Sequence, residues 1–93
     1  MSAYVVVHAT VKNAEKLAEY SAAAGPTVAS FGGEFLSRGA SEVLSGNSPH
    51  GVLVVIRFAD RATAKAWYNS PEYQAAIPAR DAGMDSVFIV GGE

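Results

Sequence analysis

Apolar periodicity along this chain switches between two residues and about 3.6 in the order strand, helix, strand, strand, helix, strand. That order predicts an α+β fold, with one antiparallel sheet carrying its helices on one face. Two further observations support it. Each helical segment opens on a capping residue, Asn13, Asp60 or Ser70, and the third strand is apolar at alternate positions on both sides.

Residues Ala3 to Val11 alternate as a strand, with Ala3, Val5, Val7, Ala9 and Val11 on an aliphatic face and Tyr4, Val6, His8 and Thr10 on a mixed one. Asn13 caps a helix on which Leu17, Ser21, Ala24, Val28 and Phe31 recur at helical spacing. Gly25-Pro26 predicts a kink, because proline removes a backbone donor and crowds the turn before it. Gly32-Gly33 ends the helix. Phe35 to Arg38 reads as a short second strand closed by Gly39, with a continuation at Glu42 to Leu44. Residues 45–51 are a loop by composition.

Val52 to Ala59 is the clearest strand, and Asp60 caps a helix from Arg61 to about Asn69. Ser70 before Pro71 restarts the chain as a helix, which Pro78 ends or bends. The last strand, Asp85 to Gly91, precedes a polar tail. The whole order is the ferredoxin-like split βαβ pattern. Such a sheet leaves one face bare, yet the third and fourth strands are apolar on both sides and no element remains to cover the second. A second copy is the simplest cover. The expectation is therefore a homodimer whose two sheets face each other as a dimeric α+β barrel, with a cavity inside.

Ninety-three residues make a single domain, 1–93. A hydrophobic content of 49% with only 17% charged residues suits a small domain that hides part of its surface against a partner. The absence of cysteine excludes disulfides, thiolate metal sites and a cysteine nucleophile. No signal peptide or membrane span is legible, so a cytoplasmic location is expected. A net charge of −2 with scattered Lys and Arg offers no footprint for nucleic acid or anionic lipid. Two His without paired spacing leave no metal site, and no nucleotide fingerprint occurs, so no cofactor is expected.

The candidate site centres on the run from Ala66 to Tyr73, where a bend pins Trp67, Tyr68 and Tyr73 together. These aromatics form either the wall of a small-molecule pocket or an ordinary core corner. His8, on the mixed face of the first strand, is a candidate general base or anion partner, in competition with a half-buried His satisfied by a carbonyl or water. His50 is an isolated loop residue and is expected to be solvated. Arg57, in an apolar strand, needs an acidic side chain, an exposed edge or a ligand. Arg38 and Arg80 are each able to clamp a carboxylate or to make a surface ion pair.

The runs Gly32-Gly33-Glu34-Phe35-Leu36-Ser37-Arg38-Gly39, Val54-Val55-Ile56-Arg57-Phe58 and Ala66-Trp67-Tyr68-Asn69-Ser70-Pro71-Glu72-Tyr73, with Arg80 behind them, resemble the small bacterial family known as domain of unknown function 1330. The resemblance covers nearly the whole chain. It implies a dimeric α+β barrel similar to antibiotic-biosynthesis monooxygenases and other small cofactor-free or haem-handling enzymes, and it implies no reaction. Arg38, Trp67, Tyr68, Ser70, Tyr73 and Arg80 fall on the family's signature, and His8 does not.

The functional expectation is a homodimer binding a small acidic or aromatic molecule beside the sheet. Arg38, Trp67, Ser70, Tyr73 and Arg80 are the ligand-binding candidates. If it is an enzyme, cofactor-free oxygenation or isomerisation is expected, with His8 or Tyr68 as base. The alternative is a non-catalytic structural or regulatory dimer.

Overall fold

A computed structural model describes residues 2–92. The elements run β1 (Ala3–Val11), α1 (Ala14–Ser30), β2 (Glu34–Ala40), β3 (Val52–Phe58), α2 (Arg61–Tyr68), α3 (Pro71–Gln74), α4 (Ile77–Gly83) and β4 (Met84–Gly92). The sheet order is β2-β3-β1-β4, with every neighbouring pair antiparallel. This is the ferredoxin-like arrangement, in which each crossover skips over one strand.

Local chemistry accounts for the boundaries. Asn13 accepts from the Lys16 N–H at 3.1 Å, and Asp60 accepts from the Thr63 N–H at 2.7 Å. That second bond holds the Asp60 carboxyl below the usual carboxylate range. α1 continues through Pro26 to Ser30 as one element. Gly32, at φ 70°, turns the chain out of it, while a Cβ at Gly33 would lie 2.6 Å from Val28 Cγ1 and 2.7 Å from Phe58 Cε1. One glycine is there for its backbone and the next for close approach.

Two boundaries differ from expectation. Glu42 to Leu44 is not strand: the Ser41 N–H donates to the Gly51 carbonyl, closing a loop from which Leu44 projects 94% exposed. Pro78 neither ends nor bends the helix begun at Pro71, because α3 is a single turn and Pro78 lies in the first turn of α4. There the missing N–H costs nothing.

The sheet is also not closed into a barrel, which corrects the expected architecture. β2 and β4 pair on one side only and stand as two free edges. Closure of a sheet with a packed interior takes about eight tilted strands, and this sheet has four.

The core lies between the sheet's helical face and the helices. Val5, Val7, Ile56 and Phe58 meet Ala24 and Val28 of α1 and Trp67 of α2. The opposite face has no helix over it among the described residues and exposes Val87 at 45% and Ile89 at 56%. Arg57 lies on this face, ion-paired with Glu34 at 3.2 Å.

Candidate functional site

A cavity of about 140 Å³ opens between α1 and the helical face of the sheet. Its wall is almost entirely apolar, with Val7, Val54 and Ile56 from the sheet, Leu17 and Val28 from α1, and Trp67 and Phe88 beside them. Polar character comes from Tyr20, Ser21 and Arg38.

Arg38 reaches this cavity because of a bulge. Phe35 pairs with Ile56 and Ser37 with Val55, so Leu36 is an extra residue with no partner on β3. Phe35 and Arg38 are three apart, a spacing that puts side chains on opposite faces of a regular strand. The extra residue returns both to the helical face, where the Arg38 guanidinium sits 4.8 Å from the Phe35 ring centroid. Bulges re-aim side chains in this way beside functional sites. Arg38 makes no hydrogen bond or ion pair among the described residues, whereas Arg57, Arg61 and Arg80 each do.

Beside the cavity, Arg80 binds two phenols, and a third joins through one of them. Its Nη1 donates to Tyr68 Oη at 2.9 Å and Tyr73 Oη at 3.2 Å, and Tyr73 Oη lies 2.9 Å from Tyr20 Oη. The guanidinium also lies 4.8 Å from the Phe88 ring centroid. Burial pushes the Tyr20 and Tyr73 phenols up, so both stay protonated across the neutral range. Burial alone would lower Arg80, but the bonds from its guanidinium to Tyr68 and Tyr73 outweigh that and raise it.

The residues proposed from sequence thus divide. Trp67 lines the cavity, fully buried, with Nε1 donating to Thr27 Oγ1 at 3.0 Å. Tyr73 and Arg80 stand behind the wall. Tyr68 lines a second, broader groove of about 370 Å³ beside β4, with Lys65 and Ile89. The Ser70 hydroxyl is engaged by the chain itself, donating to the Trp67 carbonyl at 2.7 Å and accepting from the Tyr73 N–H at 3.2 Å.

His8 is on the open face, across the sheet from Tyr68. Its ring nitrogens lie 3.1 Å from Ser41 Oγ and 3.0 Å from Ser48 Oγ. His50 is not solvated as expected: it is half-buried, with Nδ1 2.9 Å from Thr10 Oγ1 and its ring edge-on to His8 at 5.3 Å. The two residues proposed as bases therefore belong to different surfaces.

Sequence reasoning missed Tyr20, Phe35 and Phe88. Tyr20 was detectable, since it falls three residues after Leu17 and four before Ala24, inside the apolar stripe of α1. Phe35 was hidden by the bulge.

Among solved structures, a protein of unknown function from Rhodopseudomonas palustris superposes with a TM-score of 0.81 at 19% identity, covering 99% of this chain and 82% of that one. A dimeric ferredoxin-like protein of unknown function from Jannaschia sp. CCS1 gives 0.76 at 16% identity over 100% of both chains. SnoaB, a cofactor-independent oxygenase from Streptomyces nogalater, gives 0.64 at 16% identity, covering 99% and 92%. Other ferredoxin-like neighbours are also described as dimeric. At these identities the likeness is one of fold. No curated protein matches the sequence. The family model for a domain of unknown function, DUF1330, matches residues 2–92, and the chain belongs to that family.

Proposed function

We propose that this chain binds a small aromatic acid, one molecule per chain, in the cavity between α1 and the sheet. Arg38 carries the reading. It is a guanidinium with no acidic partner among the described residues, exposed on its outer side and bordering a cavity that is otherwise nearly apolar. A cavity of about 150 Å³ with apolar walls accepts a benzene ring. The space here, about 140 Å³, has that size, so one ring fits inside with its carboxylate toward Arg38 at the mouth.

Titration with benzoate and with ethylbenzene, followed by amide chemical shifts, tests this. Benzoate is expected to perturb residues of α1, β2 and β3. Arg38→Gln should weaken benzoate at least tenfold, since a charge-assisted bond contributes about 1.5–3 kcal/mol, and leave ethylbenzene unchanged. Equal benzoate affinity in both proteins would remove the role of Arg38.

The same proposal includes a homodimer joined through the open sheet face. Its support is the row of Tyr4, Val87 and Ile89, all exposed, with Val6, Leu53 and Val55 half-buried beside them. Cofactor-free oxygenation, the activity of SnoaB, comes to this chain by likeness of fold alone, and neither candidate base lines the cavity: His8 is on the open face and Tyr68 on the groove beside β4. Ligand binding is therefore the function proposed.

A further inference from the structure

Arg80 sets the direction of a hydrogen-bond chain that ends at the cavity. A guanidinium only donates, and its Nη1 carries two N–H groups, which reach Tyr68 Oη and Tyr73 Oη at 2.9 and 3.2 Å. Both phenol oxygens are therefore acceptors. Tyr73 is 0% exposed, and its hydroxyl has one other hydrogen-bond neighbour among the described residues, Tyr20 Oη at 2.9 Å. Were Tyr20 the donor in that pair, the Tyr73 proton would be stranded in the core without an acceptor, at the full desolvation cost of a buried hydroxyl. Tyr73 therefore donates to Tyr20.

Tyr20 is then an acceptor toward Tyr73, and its own proton has no partner among the described side chains. Tyr20 is half-buried and is one of the residues that line the cavity. We infer that Tyr20 is the hydrogen-bond donor of this cavity, offering its O–H to a carbonyl or similar acceptor oxygen on the bound ring. The inference rests on the cavity being a ligand site, and it narrows the ligand class to single-ring molecules that carry an acceptor oxygen in addition to an anionic group for Arg38.

Two features fit the donor role. The chain Arg80 to Tyr73 to Tyr20 has a cation at its head, so each bond polarises the next and strengthens the last donor. Burial also keeps the Tyr20 phenol protonated, which makes it a donor at neutral pH and not a base. Tyr68 shares the same guanidinium nitrogen but faces the groove beside β4, so the two phenols serve different surfaces.

The test uses the intact protein with two probes of nearly equal shape, acetophenone labelled with ¹³C at the carbonyl and ethylbenzene. Infrared spectra are expected to show the carbonyl stretch of bound acetophenone shifted down relative to acetophenone in hexane. In Tyr20→Phe that shift should vanish, acetophenone should bind about tenfold more weakly, and ethylbenzene should bind within twofold of the original protein.

Should Tyr20→Phe fail to fold, Tyr73→Phe decides. It leaves the Tyr20 hydroxyl in place but removes the cation-backed bond behind it, so a smaller carbonyl shift is expected and an unchanged one overturns the chain. If ethylbenzene and acetophenone bind but the carbonyl frequency is the same with and without the Tyr20 hydroxyl, the donor role is wrong and the cavity reading stands. If neither probe nor benzoate binds, the cavity reading is wrong and the donor role falls with it.

Discussion

Ser70 holds two backbone groups with one hydroxyl, and the bend that organises the aromatic corner depends on it. Its Oγ satisfies the Tyr73 N–H at the start of α3 and the Trp67 carbonyl at the end of α2. Ser70→Ala should cost about 1–2 kcal/mol in urea unfolding, the usual worth of a helix cap. Thr27 does the same service for the Trp67 indole, and Thr27→Val should cost about 1–3 kcal/mol by leaving a buried N–H unpaired. The phenols make a pH prediction. Tyr20 and Tyr73 are raised above the unfolded value of about 10, so the folded state holds protons that the unfolded chain has lost. Stability is therefore complete below about pH 10 and falls as pH rises beyond it. The urea midpoint should drop with that slope, and more gently in the Tyr20→Phe, Tyr73→Phe double variant.

Elements meet where side chains are absent or displaced. A Cβ at Gly83 would lie 2.6 Å from the Leu17 nitrogen and 3.0 Å from its Cα, so α4 and α1 touch backbone to backbone. Neither helix has a flexible side chain there to yield. Gly83→Ala should cost about 1–3 kcal/mol, the range for overpacking, measured by urea unfolding. The caps at Asn13, Asp60 and Ser70 were legible in the sequence because each acts on N–H groups within three residues. Pro78 was misplaced because proline reads alike as the end of one helix and the beginning of the next. Which applies depends on whether the preceding turn has already closed, and α3 closes at Gln74. The Leu36 bulge was invisible for a stronger reason: it is a mismatch between β2 and β3, and no single strand contains it.

At the scale of the whole molecule, the sheet divides the protein into two unlike surfaces. The helical side holds the cavity and the Arg80 phenols, and the other holds an apolar row ending in the cluster of His8, Ser41, Ser48 and His50. Light scattering at micromolar concentration is expected to give a dimer, and Val87→Lys with Ile89→Lys to give a folded monomer. A dimer that survives both substitutions would move the interface off this face. No helix among the described residues is long and apolar enough to cross a membrane.

By itself the sequence determined the order of the strands and their helical connections, the caps and which residues of β1 share a face, because periodicity and capping are local and are written in neighbouring residues. It also brought Trp67, Tyr68 and Tyr73 into one corner through Ser70-Pro71. Only the tertiary structure decided that the sheet stays open, that Arg38 turns toward the cavity, that His8 and Tyr68 are separated, and that Tyr20 closes a chain from Arg80. Each of these depends on register or on distance between segments far apart in the chain. The Tyr20–Tyr73 bond spans 53 residues, and the pattern around either tyrosine contains nothing that names the other.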